Sequence, residues 1–147
     1  IFVPGHTLGH IAFYLEKEKV VFTGDTLFSL GCGRIFEGTC QQMFNSLNKI
    51  KSLPEDTKIY CGHEYTKSNL QFCLEYNPSN NYLMDKKKVI EAQIKEGKPT
   101  IPSKIKDEIQ TNIFLRYDDL DVKNALNLKN ASDLEIFTKL RDLKDKF

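Results

Sequence analysis

Residues 20–28 read Val-Val-Phe-Thr-Gly-Asp-Thr-Leu-Phe, an apolar strand running into a glycine and then a carboxylate, Asp25. A carboxylate at a strand end is costly to bury unless it has a partner. The same device recurs at residues 58–65, Lys-Ile-Tyr-Cys-Gly-His-Glu-Tyr, where a short strand meets Gly62 and then His63. A third segment, Pro-Gly-His-Thr-Leu-Gly-His at residues 4–10, follows the strand-like opening Ile-Phe-Val and carries His6 and His10. The chain has three histidines, and all of them lie in these loops.

Outward from these loops, two halves differ in pattern. Residues 1–65 are strand-like. His10 to Leu15 alternates, with Ile11, Phe13 and Leu15 on one face, and Val20 to Thr23 follows a charged turn at residues 16–19, which predicts a hairpin. Thr39 with Gln42 forms a capping box ahead of Met43, Phe44, Leu47 and Ile50, spaced for one helix face. A turn through Pro54 then leads to a buried strand at 58–61. Strand, helix, strand implies an α/β layer. Residues 66–147 are helical in pattern. Thr66 is placed to cap a helix ending at Asn77-Pro78. A second helix carries Leu83, Ile90 and Ile94 and stops at Gly97 and Pro99, and a third starts at Pro102-Ser103. Ser132 with Glu135 is a second capping box, opening a last helix through Leu134, Phe137 and Leu140. Lys86 to Lys88 reads as a solvated helix face.

Composition narrows the function classes. The 147 residues are enough for one core, or a small core with a helical appendage. With 21 basic and 20 acidic residues, the net charge of +1 argues against a nucleic-acid module working by bulk electrostatics. No apolar run approaches the roughly 20 residues a membrane span needs, and no signal peptide is read, so no membrane association and a cytoplasmic location are expected. The four cysteines, Cys32, Cys40, Cys61 and Cys73, have no C-x-x-C spacing and read as free thiols. Cys32 and Cys61 lie in the motif loops, where a ligand role is open to them. The chain opens on Ile1 rather than Met, which reads as a piece of a longer polypeptide.

The spacing of His6 and His10 would suit one helix face, but Pro4, Gly5 and Gly9 oppose a helix there. In a loop the two rings are expected to diverge, leaving His6 as a metal ligand and His10 as a structural residue. With Asp25 and His63 this gives three ligands, and Asp25 has two oxygens with which to bridge two cations. A catalytic zinc takes three protein ligands plus water. Two metals need about six ligand positions, more than these residues offer, so a binuclear site would draw its other ligands from before Ile1.

At this point the motifs resemble the metallo-β-lactamase fold and, within it, the glyoxalase II (hydroxyacylglutathione hydrolase) family. The elements P-G-H-T-L-G-H, G-D-T-L-F, G-C-G-R-I-F-E-G and C-G-H-E-Y occur here in family order, and the resemblance continues through N-I-F-L-R at 112–116 and R-D-L-K-D at 141–145. The family's T-H-x-H-x-D-H motif, the source of four further ligands, is absent. The resemblance implies an α/β fold: the C-terminal half of an αββα sandwich over residues 1–65, followed by an all-helical glutathione-binding domain over 66–147. It implies His6 on a first metal, His63 on a second and Asp25 bridging them as the catalytic carboxylate. Arg34, Phe36, Tyr65, Arg141 and Lys144 would surround glutathione. Some relatives have Tyr where Phe36 stands, so one hydroxyl contact is expected to be missing. The implied cofactors are two divalent metal ions in the full-length protein, zinc first, with iron or manganese as alternatives. The implied reaction is hydrolysis of S-D-lactoylglutathione to glutathione and D-lactate.

The chemistry of the residues agrees with this. A metal pair generates hydroxide near neutral pH and polarises a carbonyl. A thiol of pKa about 8.5 leaves without strong help from a general acid. Arg141 and Lys144, three apart on the last helix, suit a carboxylate. Two other readings compete: a mononuclear iron glutathione persulfide dioxygenase, and a non-catalytic fragment that binds glutathione. The full-length form is expected to be a monomer, and the fragment, with an open apolar edge, is expected to dimerise or aggregate.

Overall fold

A computed structural model describes residues 1–147. Strands β1 (Phe13–Leu15) and β2 (Val20–Gly24) form the antiparallel hairpin, with Phe13 opposite Phe22 and Leu15 opposite Val20. A small hairpin follows, β3 (Leu27–Phe28) with β4 (Gly31–Cys32). Helix α1 (Cys40–Lys51) starts at the Thr39 capping box, with both reciprocal bonds formed, and buries Met43, Leu47 and Ile50. Strand β5 (Lys58–Cys61) returns parallel to β2, completing the strand–helix–strand unit.

The helical segment holds α2 (Thr66–Tyr76), α3 (Asn81–Lys95), α4 (Ile105–Thr111), a 3₁₀ turn at Ile113–Leu115, α5 (Leu120–Ala125) and α6 (Asp133–Lys144). The Ser132–Glu135 capping box is formed as expected. Thr66 is not the cap of α2. Tyr65 holds that position, and the Thr66 hydroxyl instead accepts from Thr100 Oγ1 at 2.7 Å. Ser103 does not open a helix either. Residues Ser103–Lys104 form β6, which pairs antiparallel with β5 and makes the sheet order β1-β2-β5-β6. The helical half therefore contributes one short strand to the sheet of the first half. Lys86 departs from the solvated face expected of it; it is half-buried, 3.4 Å from Asp107.

One face of the sheet is core. Ala12, Val21 and Ile59 are buried there with Val3 and the apolar stripe of α1, and the cluster continues through Phe72, Phe114, Phe137 and Leu140. The opposite face is open. Phe13 is 62% exposed, Phe22 45%, and Ile11 and Leu15 point the same way. The alternation at 11–15 thus marks the uncovered face, while Ala12 and half-buried Tyr14 meet the core.

The turn between β3 and β4 is tied to the helices by buried side chains. Asn69 of α2 donates to the Ser29 carbonyl (3.0 Å), and the Leu30 N–H donates to Glu108 of α4 (2.8 Å). Asn112 donates to the Gly31 carbonyl (3.1 Å) and to Glu108 (2.9 Å). This turn fixes the sheet end that carries Asp25 against the helical layer.

Candidate functional site

The three loops converge on Asp25. Gly62 is what allows the approach of the β5 end, since any Cβ there would collide with the Asp25 carboxylate. Gly33 lies against the Asp25 carbonyl, where a side chain would again overlap. His10 places its Nε2 3.1 Å from the Asp25 N–H, which donates to it. Its ring lies 5.7 Å from that of His6. The two rings do not diverge. The loop curls so that one meets the backbone of Asp25 and the other meets its carboxylate. His10 is the structural histidine, bonded to backbone.

His6 has its tautomer set by its surroundings. Its Nδ1 is 2.8 Å from the Arg34 carbonyl, which can only accept, so Nδ1 carries the proton and Nε2 presents a lone pair. That Nε2 sits 3.3 Å from Asp25 Oδ2. A lone pair facing a carboxylate oxygen is repulsive unless a proton or a cation lies between them. His63 Nε2 approaches the same oxygen at 3.5 Å. Zinc bonds of about 2.0–2.2 Å in a tetrahedron give ligand separations of about 3.3–3.6 Å, the range found here. The three side chains do not close as a complete metal-holding group; each histidine pairs with Asp25 separately. In donor type and spacing they fit part of a metal site.

His63 stacks on Tyr65 (5.0 Å between rings, 15° apart), and Phe28 packs edge-on to Tyr65. Phe36, 67% exposed, tilts against His6 at 5.1 Å. His6, Asp25, His63, Arg34, Phe36 and Tyr65 all line one cleft of about 260 Å³. A second cleft of about 180 Å³ shares Phe28, Arg34 and Tyr65 with it and adds Cys32, Arg141 and Lys144. The eight residues singled out in the sequence as metal or glutathione contacts each line one of these two adjoining clefts, as does Cys32, whereas Cys61 lines neither.

The cations are not equivalent. Arg141 is buried, with Nη1 donating to the Cys32 carbonyl (2.9 Å) and Nη2 to Asp145 Oδ1 (2.9 Å). Arg34 Nε also donates to Asp145 Oδ1 (3.1 Å). Lys144 lies over the rings of Phe72 and Phe147, its nearest hydrogen-bond acceptor being Ser68 Oγ at 3.2 Å. Burial, and then the neighbouring Arg141, lower its pKa. Such a lysine gains from an arriving anion.

The cysteines are all free thiols. Burial pushes Cys73 up to about 12 and raises Cys32 and Cys61 as well. Cys61 donates to the His63 carbonyl (3.2 Å). Asn69 and Glu108, which help to shape the site, escape a reading of the sequence alone, and Asn112 and Asp145 enter it only as members of the motifs at 112–116 and 141–145, with no role assigned. The one local signal of Asn69 and Glu108 is weak: an Asn beside the apolar stripe of α2, and an acid within α4, are unfavoured in a buried helix face.

Residues 64–147 match a family model described as hydroxyacylglutathione hydrolase C-terminus, and residues 1–63 match one for the metallo-beta-lactamase superfamily. A hydroxyacylglutathione hydrolase from Pelagibacter ubique is 57% identical over 145 residues, covering 99% of this chain and 55% of that protein. One from Chelativorans sp. is 51% identical, covering 98% and 56%. The chain thus spans about half the length of the curated relatives it matches. Among solved structures, the BLEG-1 B3 metallo-beta-lactamase superposes with a TM-score of 0.51 at 26% identity, over 78% of this chain and 39% of that one. ETHE1 from Myxococcus xanthus superposes with a TM-score of 0.56 at 23% identity, over 97% and 43%, a likeness of fold. The architecture is the C-terminal half of a metallo-β-lactamase αββα sandwich followed by a helical extension. Matched by that family model over more than half of its length, the chain belongs to the hydroxyacylglutathione hydrolase family of the metallo-β-lactamase superfamily.

Proposed function

We propose that this chain serves hydrolysis of S-D-lactoylglutathione to glutathione and D-lactate, contributing one side of a binuclear metal site and the glutathione cleft. The observation that carries this is the convergence of two imidazole Nε2 atoms on one oxygen of Asp25, in a cleft that opens through Arg34 and Tyr65 onto Lys144. His6 would hold one divalent ion, His63 the other, and Asp25 both. Such ions supply Lewis acidity at the thioester carbonyl and lower the pKa of water. The chain's own residues do the rest. The Arg34 carbonyl fixes the His6 tautomer, Tyr65 holds the His63 ring by stacking, and Phe36 walls the outer side. Arg34, Arg141 and Lys144 give the cleft the positive charge that a glutathione carboxylate needs. Within this reading, residues 1–65 form the partial sandwich domain and 66–147 the glutathione-binding domain, the two sharing one core. No helix is long and apolar enough to cross a membrane, and we place the protein in the cytoplasm.

Glutathione titrated calorimetrically into the chain is expected to bind, and Lys144→Ala is expected to weaken binding about tenfold, the loss of one charge-assisted contact. Absence of any binding by the parent chain would overturn the reading. Zinc affinity is expected to be micromolar or weaker, since the residues present supply fewer ligations than two metals require; a sub-micromolar value would refute that count. One carboxylate with two imidazoles is also the donor set of mononuclear non-haem iron. Oxygen consumption with glutathione persulfide and ferrous iron would favour that alternative.

A further inference from the structure

Asp145 lies just past the last residue of α6, yet its hydrogen bonds to Arg34, and the bond of the Arg34 carbonyl to His6, connect it to one of the metal donors. Its Oδ1 accepts from Arg34 Nε (3.1 Å) and from Arg141 Nη2 (2.9 Å), and its backbone carbonyl accepts from Arg34 Nη2 (3.3 Å). Arg141 in turn grips the loop just before Arg34, donating to the carbonyls of Cys32 (2.9 Å) and Gly33 (3.4 Å). The Arg34 carbonyl then accepts from His6 Nδ1 (2.8 Å), and His6 Nε2 faces Asp25 (3.3 Å). Gly33 leaves the loop no slack on its other side, since it is packed directly on the Asp25 carbonyl.

We propose that Asp145 is a positioning residue for His6: it locks the 32–34 loop, and that loop aims His6 Nε2 at the position a metal would take. This rests on the metal-donor reading above. The loop is held on its far side by backbone bonds, the Phe36 and Glu37 N–H groups donating to the His6 carbonyl and that of Gly38 to the Gly5 carbonyl, whereas the Arg34 side chain finds no other hydrogen-bond partner than Asp145. Without Asp145 both guanidinium groups lose a shared acceptor; Arg141 keeps its own bonds to the Cys32 and Gly33 carbonyls, but the Arg34 side chain loses its tie to the end of α6. Groups that orient a metal-bound histidine through its second nitrogen typically change metal affinity 10–100-fold when removed. Asp145 acts one residue further out, so the lower end of that range applies.

The test uses the whole chain and Zn²⁺ alone, followed calorimetrically, with Co²⁺ absorption as a second reading of ligand geometry. Asp145→Ala is expected to weaken zinc binding about tenfold. Asp145→Asn keeps an acceptor oxygen and is expected to recover most of that loss. Lys146→Ala, at an exposed neighbour, is expected to leave affinity unchanged. Should Asp145→Ala fail to fold, Arg34→Ala decides the matter, because it cuts the same line while the Arg141–Asp145 pair stays intact, and the same tenfold loss is expected. Parent affinity in whichever of these two variants folds overturns the positioning role while leaving the donor set standing. A parent chain that takes up no zinc overturns the donor set and this proposal together.

Discussion

Two side chains at the core of the site are each fixed by a partner with one possible hydrogen-bonding role: a carbonyl fixes His6 and a backbone N–H fixes His10, while Gly62 leaves the room that the Asp25 carboxylate occupies. Glu108 is a fully buried carboxyl whose environment opposes its ordinary ionisation. Burial raises its pKa, against the Leu30 N–H and the more distant charge of Lys86, which favour the carboxylate. Its Oε1 has no partner while Oε2 holds both Leu30 and Asn112. The sign follows. An acid with a raised folded pKa contributes its full stability below the unfolded value of about 4.3, and loses it as pH rises through the folded value. The substitution Glu108→Gln keeps an acceptor for Leu30 and carries no charge. Denaturant unfolding is expected to show this variant gaining on the order of 1–2 kcal/mol over the parent near neutral pH, and no difference near pH 4. A variant less stable than the parent at neutral pH would mean that the carboxylate's charge is needed to hold the β3–β4 turn.

At the scale of elements, the two helices that open on capping boxes, α1 and α6, stand on local chemistry. Thr39 accepts from the Gln42 N–H at 3.1 Å and Gln42 returns the bond to the Thr39 N–H at 2.9 Å. Thr39→Ala is expected to lower the stability of the chain by about 1 kcal/mol, read as a shift of the denaturation midpoint without a change in slope. Both boxes are legible in the sequence because capping is a matter of four consecutive residues. The hairpin and β5 are legible because period and turn residues are also local. Three things are not. β6 is two residues long and exists only by pairing with β5, so no pattern within 103–104 could announce it. The 3₁₀ turn and α5 are each too short to show a period. The burial of Arg141 is also hidden, because its partners Cys32 and Gly33 are over a hundred residues away. The site fares better than the fold around it. Asp25 and His63 can be read because each follows a glycine at a strand end, and His6 because it follows Gly5 in the 4–10 motif, whereas the role of Asp145 cannot, because it depends on a loop more than a hundred residues away.

At the scale of the whole molecule, one side of the sheet is finished and the other is not. Val21 and Ile59 sit in a continuous core with α1 and the helices beyond it. On the opposite side Phe13, Phe22 and Tyr60 stand in register across three strands, with Phe22 and Tyr60 stacked at 5.5 Å. Phe2, bridged to Ile11, extends the row. Four aromatics about half exposed present on the order of 400 Å² of apolar surface, before Ile1, Ile11 and Leu15 are added. That reaches the range of the largest patches found on monomeric proteins, which tend to be interaction surfaces. The chain is therefore expected to associate through this face as its concentration rises. Sedimentation velocity across a micromolar series should show a rising weight-average mass, and a hydrophobic dye should bind at the low end of the series. The double variant Phe13→Thr, Phe22→Thr keeps strand-forming residues while removing the two central rings. It should sediment as a monomer where the parent does not. It should also leave the unfolding free energy within about 1 kcal/mol of the parent, since neither ring is in the core. If the parent stays monomeric and binds no dye, the open face is less sticky than its composition implies, and the rows of Phe and Tyr are then adequately covered by one another.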